Sequence, residues 1–391
     1  MTREERLPAR RRFSRRNVLK VTGATAVGGA VPLTARDAAE AKEASASPAA
    51  VRDGMTKSRT RITGIEEHCT IPELLDAWSK LGAPWSEDPA LQVSAMPQFA
   101  GPLADAGDAR ITAMDATGID TQVLSLPPPG LQILDQADAV ALQRIGNDRL
   151  AELVRAHPDR LQAFAALATS APEKAAAELE RAVRELGFNG AMLLGRTREH
   201  TLDHTDMWPV FEAAEALNVP LYLHPQTPPL AVRDTYYQVD SPAVSTALSL
   251  FGIGWHYDTG VQLLRLIFNG VFDRFPNLQV ISGHWGEVVL FYLERIEEGA
   301  RLVNAPLKRP VIDYFRENMY FTPSGMYSER YLRWTVEMVG ADRIIFASDY
   351  PFQAPPEGGM PEFVRDTGLS PADQAKFASG NWEGLIAGIK R

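Results

Sequence analysis

From residue 61 onward, short apolar runs alternate with longer stretches in which apolar positions recur every three or four residues. Eight of the runs read as buried strands: 62–66, 121–126, 161–167, 190–194, 219–224, 279–284, 319–322 and 343–348. Between them the spacing predicts helices over 135–157, 171–186, 207–217, 261–275, 287–298 and 327–339. Pro172 stands where a first helical turn lacks an N–H partner anyway, and Gly187 and Gly340 follow helical runs where a left-handed cap is needed. Eight strands alternating with helices favour an α/β fold of the (β/α)₈ TIM-barrel type over residues 58–391. A doubly wound sheet would bring a glycine-rich turn after its first strand, but here Glu66-Glu67-His68 follows. Two connections are long, 69–105 and 225–258, and both leave the carboxyl end of a strand. They are expected to overhang the active face with Trp78, Trp85, Phe99, Tyr236, Tyr237, Trp255 and His256, enough ring surface to wall a pocket for a planar molecule.

The polar residues at the strand ends carry the chemistry. Glu66 and His68 alternate with Glu67, so period-two geometry points both to one side and Glu67 to the other. His224 ends an apolar run closed by Pro225, His284 sits between Gly283 and Gly286, and Asp349 ends a run closed by Pro351. Side chains this far apart in sequence meet only at a barrel mouth, where imidazole and carboxylate together suit one divalent ion, Zn²⁺ or Mn²⁺. Of the other histidines, His157 is expected to finish a helix, His200 and His204 to be solvated, and His256 to be a structural loop residue or a pocket wall.

Charge narrows the partners. The chain has 40 Lys/Arg and 49 Asp/Glu; ten and five of these fall in residues 1–50, leaving 30 against 44, net −14, for the rest. An acidic body is a poor nucleic-acid binder. Cys69 is the only cysteine, which excludes an intramolecular disulfide and a thiolate metal cluster. Residues 1–50 read apart from the fold: Arg10 to Lys20 is basic, with Ser14-Arg15-Arg16 before Val18-Leu19-Lys20, and 21–33 is weakly apolar but too short and glycine-rich for a stable membrane span. This segment resembles a twin-arginine export signal, which implies a periplasmic or extracellular enzyme; the alternative is a basic tail on a cytoplasmic one.

From about residue 62 to the C-terminus the chain resembles the amidohydrolase superfamily. The likeness is to the branch with aminocarboxymuconate semialdehyde decarboxylase and the γ-resorcylate and 2,3-dihydroxybenzoate decarboxylases. The motifs that carry it include Gly64-Ile65-Glu66-Glu67-His68, Tyr222-Leu223-His224-Pro225, Gly283-His284-Trp285-Gly286-Glu287 and Ser348-Asp349-Tyr350-Pro351-Phe352. The resemblance implies that Glu66, His68, His224 and Asp349 bind the metal and that His284 and Glu287 work beside it. A lysine that holds a second metal in other members is missing from Ala191-Met192-Leu193-Leu194, so a single ion is expected. It also implies a homodimer or larger homo-oligomer.

The expected reaction is non-oxidative decarboxylation of a hydroxylated aromatic or enolic acid. Asp349 is the candidate proton donor, His284 and Glu287 the relay, and Trp255, Trp285 and Phe352 the candidate substrate-binding aromatics. The same ligands permit metal-dependent hydrolysis of a lactone, ester or amide, the alternative reading. A binding protein that has kept the barrel but lost turnover is a third.

Overall fold

The structure is a computed structural model that describes residues 60–198 and 200–391, so the export signal expected over residues 1–50 lies outside the described residues. Parallel strands run in two hydrogen-bonded sets: β1 (Thr63–His68), β2 (Thr121–Ser125) and β3 (Leu161–Ala163), then β4 (Ala165–Ala166), β5 (Ala191–Leu194), β6 (Leu221–His224), β7 (Val280–Ser282) and β8 (Met319–Phe321). The expected strand 161–167 is interrupted at Phe164, whose N–H still reaches the Leu124 carbonyl at 2.9 Å, so β3 and β4 share one position in the ring. Side chains take over the ladder here: Asn147 Oδ1 accepts from the Ala166 N–H and Gln143 Oε1 from the Ala168 N–H, each at 2.8 Å.

The expected strand 343–348 is likewise extended but not a regular ladder strand. It closes the ring through Ile345 N–H to the Phe321 carbonyl (3.0 Å), Ile65 N–H to the Phe346 carbonyl (3.2 Å) and His68 N–H to the Tyr350 carbonyl (2.7 Å). Glu67 explains the irregularity. Pointing away from Glu66, it accepts from the Ser348 N–H (2.9 Å) and hydroxyl (2.6 Å), taking a donor that a regular strand would have given to its neighbour. Behind this seam the buried Arg110 donates to the His68 carbonyl (2.6 Å) and to Gln122 (3.0 Å), and Gln122 in turn donates to Glu67 (3.0 Å).

Ile65, Val123, Phe164, Met192, Ile281 and Ile345 fill the barrel lumen, as layered side chains do in this architecture. The fully buried Trp382 closes it at the amino ends of the strands, packing on Phe164 (ring centroids 5.6 Å apart) and donating to Gln162 Oε1 (2.9 Å). Trp382→Ala is expected to cost roughly 3–5 kcal/mol through the cavity it leaves, Gln162 Oε1 still accepting from the Asn189 amide (2.8 Å). An unchanged urea midpoint for that variant would show that the lumen does not depend on the plug.

Helices cover the outside of the ring, among them Gln136–Ala156, Pro172–Arg184, Trp208–Leu217, Gly254–Phe268 and Glu329–Val339. The connection 69–105 folds into three short helices, Pro72–Ser79, Pro89–Ser94 and Pro97–Ala104, each started by a proline whose fixed φ suits the first turn. Among the described residues no helix is long and apolar enough to cross a membrane.

Candidate metal centre and active site

A bulge aims the first two ligands. Gly64 is opposite Gln122 but Glu67 is opposite Leu124, so β1 carries one residue more than β2 over that stretch. Ile65 therefore packs in the lumen while Glu66 and His68 also face inward, where strict alternation from Ile65 would have turned Glu67 to the site. The carboxyl ends of β1 and β6 and residue 349 of the closing segment then bring one donor atom each from Glu66, His68, His224 and Asp349 within 4.8 Å of one another. Glu66 and His68 are fully buried.

The donors are prepared for a cation. Glu66 Oε2 accepts from the Tyr222 and Ser324 hydroxyls, while its buried Oε1 has no hydrogen-bond partner and faces His224 Nε2 at 3.2 Å. His224 Nδ1–H donates to the Pro225 carbonyl (2.7 Å) and His68 Nδ1 meets the Ser125 hydroxyl (3.2 Å). Both Nε2 atoms are thereby turned inward, and His68 Nε2 is a second buried atom without a partner, 3.4 Å from Asp349 Oδ1. Burial, helped by nearby His224, pushes His68 down to about 3, so it presents the neutral imidazole that a metal takes. Burial opposes the charge on Glu66, but the neighbouring His224 and the other surrounding imidazoles, His284 and His68, hold its carboxyl below the usual range. Two orphaned buried atoms in a shell of two imidazoles and two carboxylates fit one Zn²⁺ or Mn²⁺.

Beside this shell the backbone does something the sequence did not announce. His284, Trp285, Gly286, Glu287 and Val288 all have positive φ (48°, 58°, 85°, 52° and 62°), forming a left-handed turn where a helix was expected to begin at 287. Only one of the five is glycine, and each L-residue there costs about 1–2 kcal/mol. The surroundings offset the strain: the Ser324 hydroxyl accepts from the His284 N–H (3.1 Å), the Thr322 carbonyl from the Trp285 N–H (2.9 Å), and the Met326 carbonyl from the Trp285 indole (2.8 Å). Gly260 makes room, since a Cβ there would lie 2.5 Å from the Glu287 carbonyl oxygen.

The turn puts His284 Nδ1 at 2.8 Å from Glu287 Oε1. Burial alone would drive the proton off His284, but the charge and hydrogen bond of Glu287 raise it to about 9. Asp349, also at positive φ (58°), is held well above the carboxylate range by burial and by the charge of Glu66. Asp349 and the His284 imidazole thus face the same space.

His256, expected at most to wall the pocket, is a member of this group. Its Nδ1–H donates to Glu287 Oε2 at 2.7 Å, and its Nε2 accepts from the Trp255 indole at 3.1 Å. Glu287 therefore bridges two imidazoles whose rings lie 4.5 Å apart. His256 was expected in a loop, but the helix begins at Gly254 rather than 261 and carries it in its first turn; Tyr222, two residues before His224 on β6, could have been read as its same-face neighbour. Replacing His256 by leucine frees one oxygen of Glu287 and is expected to lower kcat about 10- to 100-fold, the worth of a charge-assisted hydrogen bond. Asparagine, whose amide can occupy the place of Nδ1, is expected to keep kcat within about threefold, so equal losses in both variants would argue against this role.

Trp255 and Trp285 line a cavity of about 540 Å³ together with His284 and Asp349. Phe352 does not line it; it packs on His68 and Phe99, with ring centroids 5.5 and 5.1 Å away, because the turn after Asp349 carries it behind the ligand shell. Of the other loop rings, Trp78 is buried with its indole on the Gly130 carbonyl, and Tyr236 is exposed and off the cavity. His204 is exposed, and its ring nitrogen accepts from the Asp206 N–H at 3.4 Å.

A parallel barrel with a two-histidine, two-carboxylate shell at its carboxyl face, flanked by a histidine–glutamate pair, defines a metal-dependent barrel enzyme. The chain belongs to the amidohydrolase family, whose profile matches residues 78–382. It is 37% identical over 303 residues to the γ-resorcylate decarboxylase of Polaromonas sp. strain JS666, covering 74% of this chain and 90% of that protein. Its fold matches 5-carboxyvanillate decarboxylase from Sphingomonas paucimobilis with a TM-score of 0.76 and 31% identity, over 85% of this chain and all of that one. It also matches the dihydroxybenzoic acid decarboxylase of Polaromonas sp. JS666, solved with manganese and 2-nitroresorcinol, with a TM-score of 0.70 and 34% identity, over 84% and 97% of the two chains.

Proposed function

We propose that the chain is a metal-dependent, non-oxidative decarboxylase of a hydroxylated aromatic acid, with Glu66, His68, His224 and Asp349 holding the ion. The observation that carries this reading is that this donor set sits beside a cavity lined by His284 and Asp349, with His284 hydrogen-bonded to Glu287. A divalent ion held by Glu66, His68, His224 and Asp349 would supply Lewis-acid stabilisation of the negative charge that develops on the substrate.

The protein's own residues handle the proton. Asp349 delivers it to the ring carbon that bears the carboxylate, which interrupts the ring's conjugation. The bond to the carboxylate then breaks, its electron pair restores the ring, and carbon dioxide leaves. His284, protonated at neutral pH through Glu287, resupplies Asp349, and His256 holds Glu287 in the plane that this requires. Trp255 and Trp285 wall the ring and exclude water from the proton path.

Hydrolysis of a lactone or ester would instead need water at the same position. The two are separated by incubating manganese-loaded protein in ¹⁸O-labelled water with 2,6-dihydroxybenzoate or a small aryl lactone. Gas release, with resorcinol free of label at its hydroxyls, supports the decarboxylase. Label in an acid product with no gas would overturn it.

A further inference from the structure

Three hydroxyls meet behind Glu66, near the carboxyl ends of β6 and β8. Tyr222, Thr322 and Ser324 are all fully buried. Their oxygens are 2.8 Å apart from Tyr222 to Thr322, 2.8 Å from Thr322 to Ser324 and 3.2 Å from Tyr222 to Ser324. The group has three protons, and its partners fix where they go. Tyr222 and Ser324 each donate to Glu66 Oε2, which fills both lone pairs of that oxygen and leaves Oε1, without a hydrogen-bond partner, open to an ion. Thr322 gives its own proton to one of the other two hydroxyls. Having donated to Glu66, the Ser324 oxygen can only accept, and it accepts from the His284 N–H at 3.1 Å. One oxygen atom therefore touches a metal ligand on one side and the backbone of the relay histidine on the other. The next amide is tied to the same segment, since the Thr322 carbonyl accepts from the Trp285 N–H at 2.9 Å.

The backbone is arranged around this oxygen. Ser324 has φ 44°, a conformation that glycine adopts freely and a residue with a side chain does not. Gly283 is the reverse case: its φ of −70° suits any residue, but a Cβ there would lie 2.8 Å from Ser324 Oγ and 3.1 Å from Tyr222 Oη. A side chain sits where glycine would be easier, and a glycine sits where only space requires it.

We infer that Ser324 is a positioning residue through which an ion at Glu66 sets the place of His284. An ion on Oε1 fixes the plane of the carboxylate, Oε2 then holds the Ser324 proton in one direction, and the serine lone pairs are left facing the His284 N–H. With the shell empty, Oε1 has only His224 Nε2, at 3.2 Å, to hold that plane. His284 is therefore held more firmly when the shell is filled. The consequence for turnover rests on the decarboxylase reading, whereas the coupling itself does not.

The test follows hydrogen exchange at the His284 amide with and without Mn²⁺. The Leu179 amide, on the outer helix Pro172–Arg184, reports the overall stabilisation that any bound metal brings. In the parent protein Mn²⁺ is expected to slow exchange at His284 by at least about tenfold more than at Leu179, the worth of one well-made hydrogen bond. Ser324→Gly keeps the turn and lacks the hydroxyl, so this excess should disappear and kcat at saturating Mn²⁺ should fall about 10- to 100-fold. Gly283→Ala keeps all three hydroxyls but crowds them, and should also lose the excess, which gives a second reading if the serine variant does not fold. Tyr222→Phe removes the other donor to Oε2 without touching His284. It should weaken Mn²⁺ in a titration while the excess persists at saturating metal. An excess that is missing from the parent, or that survives in Ser324→Gly, would overturn the coupling, as would an unchanged kcat in that variant. Loss of the excess in Ser324→Gly, with no gas released from any hydroxybenzoate by the parent, would support the coupling and remove the decarboxylase reading.

Discussion

Asp349→Asn is expected to lower kcat by about 1,000-fold or more while manganese stays bound, within the range that a lost proton donor costs. Asparagine keeps the size of the side chain and one oxygen that can face the ion. After glycine, asparagine is among the residues that best tolerate the positive φ of 58° found at 349, so the turn itself should survive. What disappears is the acid. In the native site burial and the Glu66 charge raise the affinity of Asp349 for a proton, whereas an amide has none that it can give to carbon. Gas release measured beside metal content separates the two roles of this residue. A variant with full metal and turnover within tenfold of the parent would move the donor elsewhere, with His284 as the next candidate.

His224→Ala should act on the other half of the site. Losing one of four ligands is expected to weaken manganese binding by at least about 100-fold, more than the 10- to 100-fold that removing a residue behind a ligand typically costs. Turnover at micromolar metal should vanish with it. Glu66 Oε1 faces His224 Nε2 at 3.2 Å, so the variant also leaves a buried carboxylate with less compensation, and its melting temperature should fall. Added manganese should stabilise the parent protein by mass action and the variant hardly at all, which a melting curve with and without metal reads directly. His200→Ala, in an exposed loop position, serves as the control with unchanged activity. Undiminished metal content in the His224 variant would refute the ligand set.

Much of this was written in the chain. The barrel was legible because both periodicities are local, and the ligands because polar residues stand out at the ends of apolar runs. Glu66 and His68 share a side as alternation required. The bulge that brings Ile65 and Glu66 both inward was not legible, since it depends on how β1 pairs with β2. The irregular closing segment is hidden for a similar reason: Glu67 intercepts the Ser348 N–H from 281 residues away. The left-handed turn at 284–288 goes against the preference of four of its five residues and is held by contacts from Thr322, Ser324 and Met326. His256 and Phe352 are mirror cases. Both are rings near ligand motifs, but His256 joins Glu287 from the first turn of the helix Gly254–Phe268, whereas the turn after Asp349 sets Phe352 behind His68.

Closure of the ring by 344–350 against β1 has a bearing on how the protein comes to be made. Glu66 and His68 emerge from the ribosome some 280 residues before Asp349, and at about 5–20 residues per second that interval lasts tens of seconds. Until Trp382 has also emerged the lumen lacks its stopper. Nascent chains can therefore offer isolated imidazoles and carboxylates to passing ions, but the four donors can meet only after residue 349 has emerged. Metal choice is made by a finished barrel, not by a growing polypeptide.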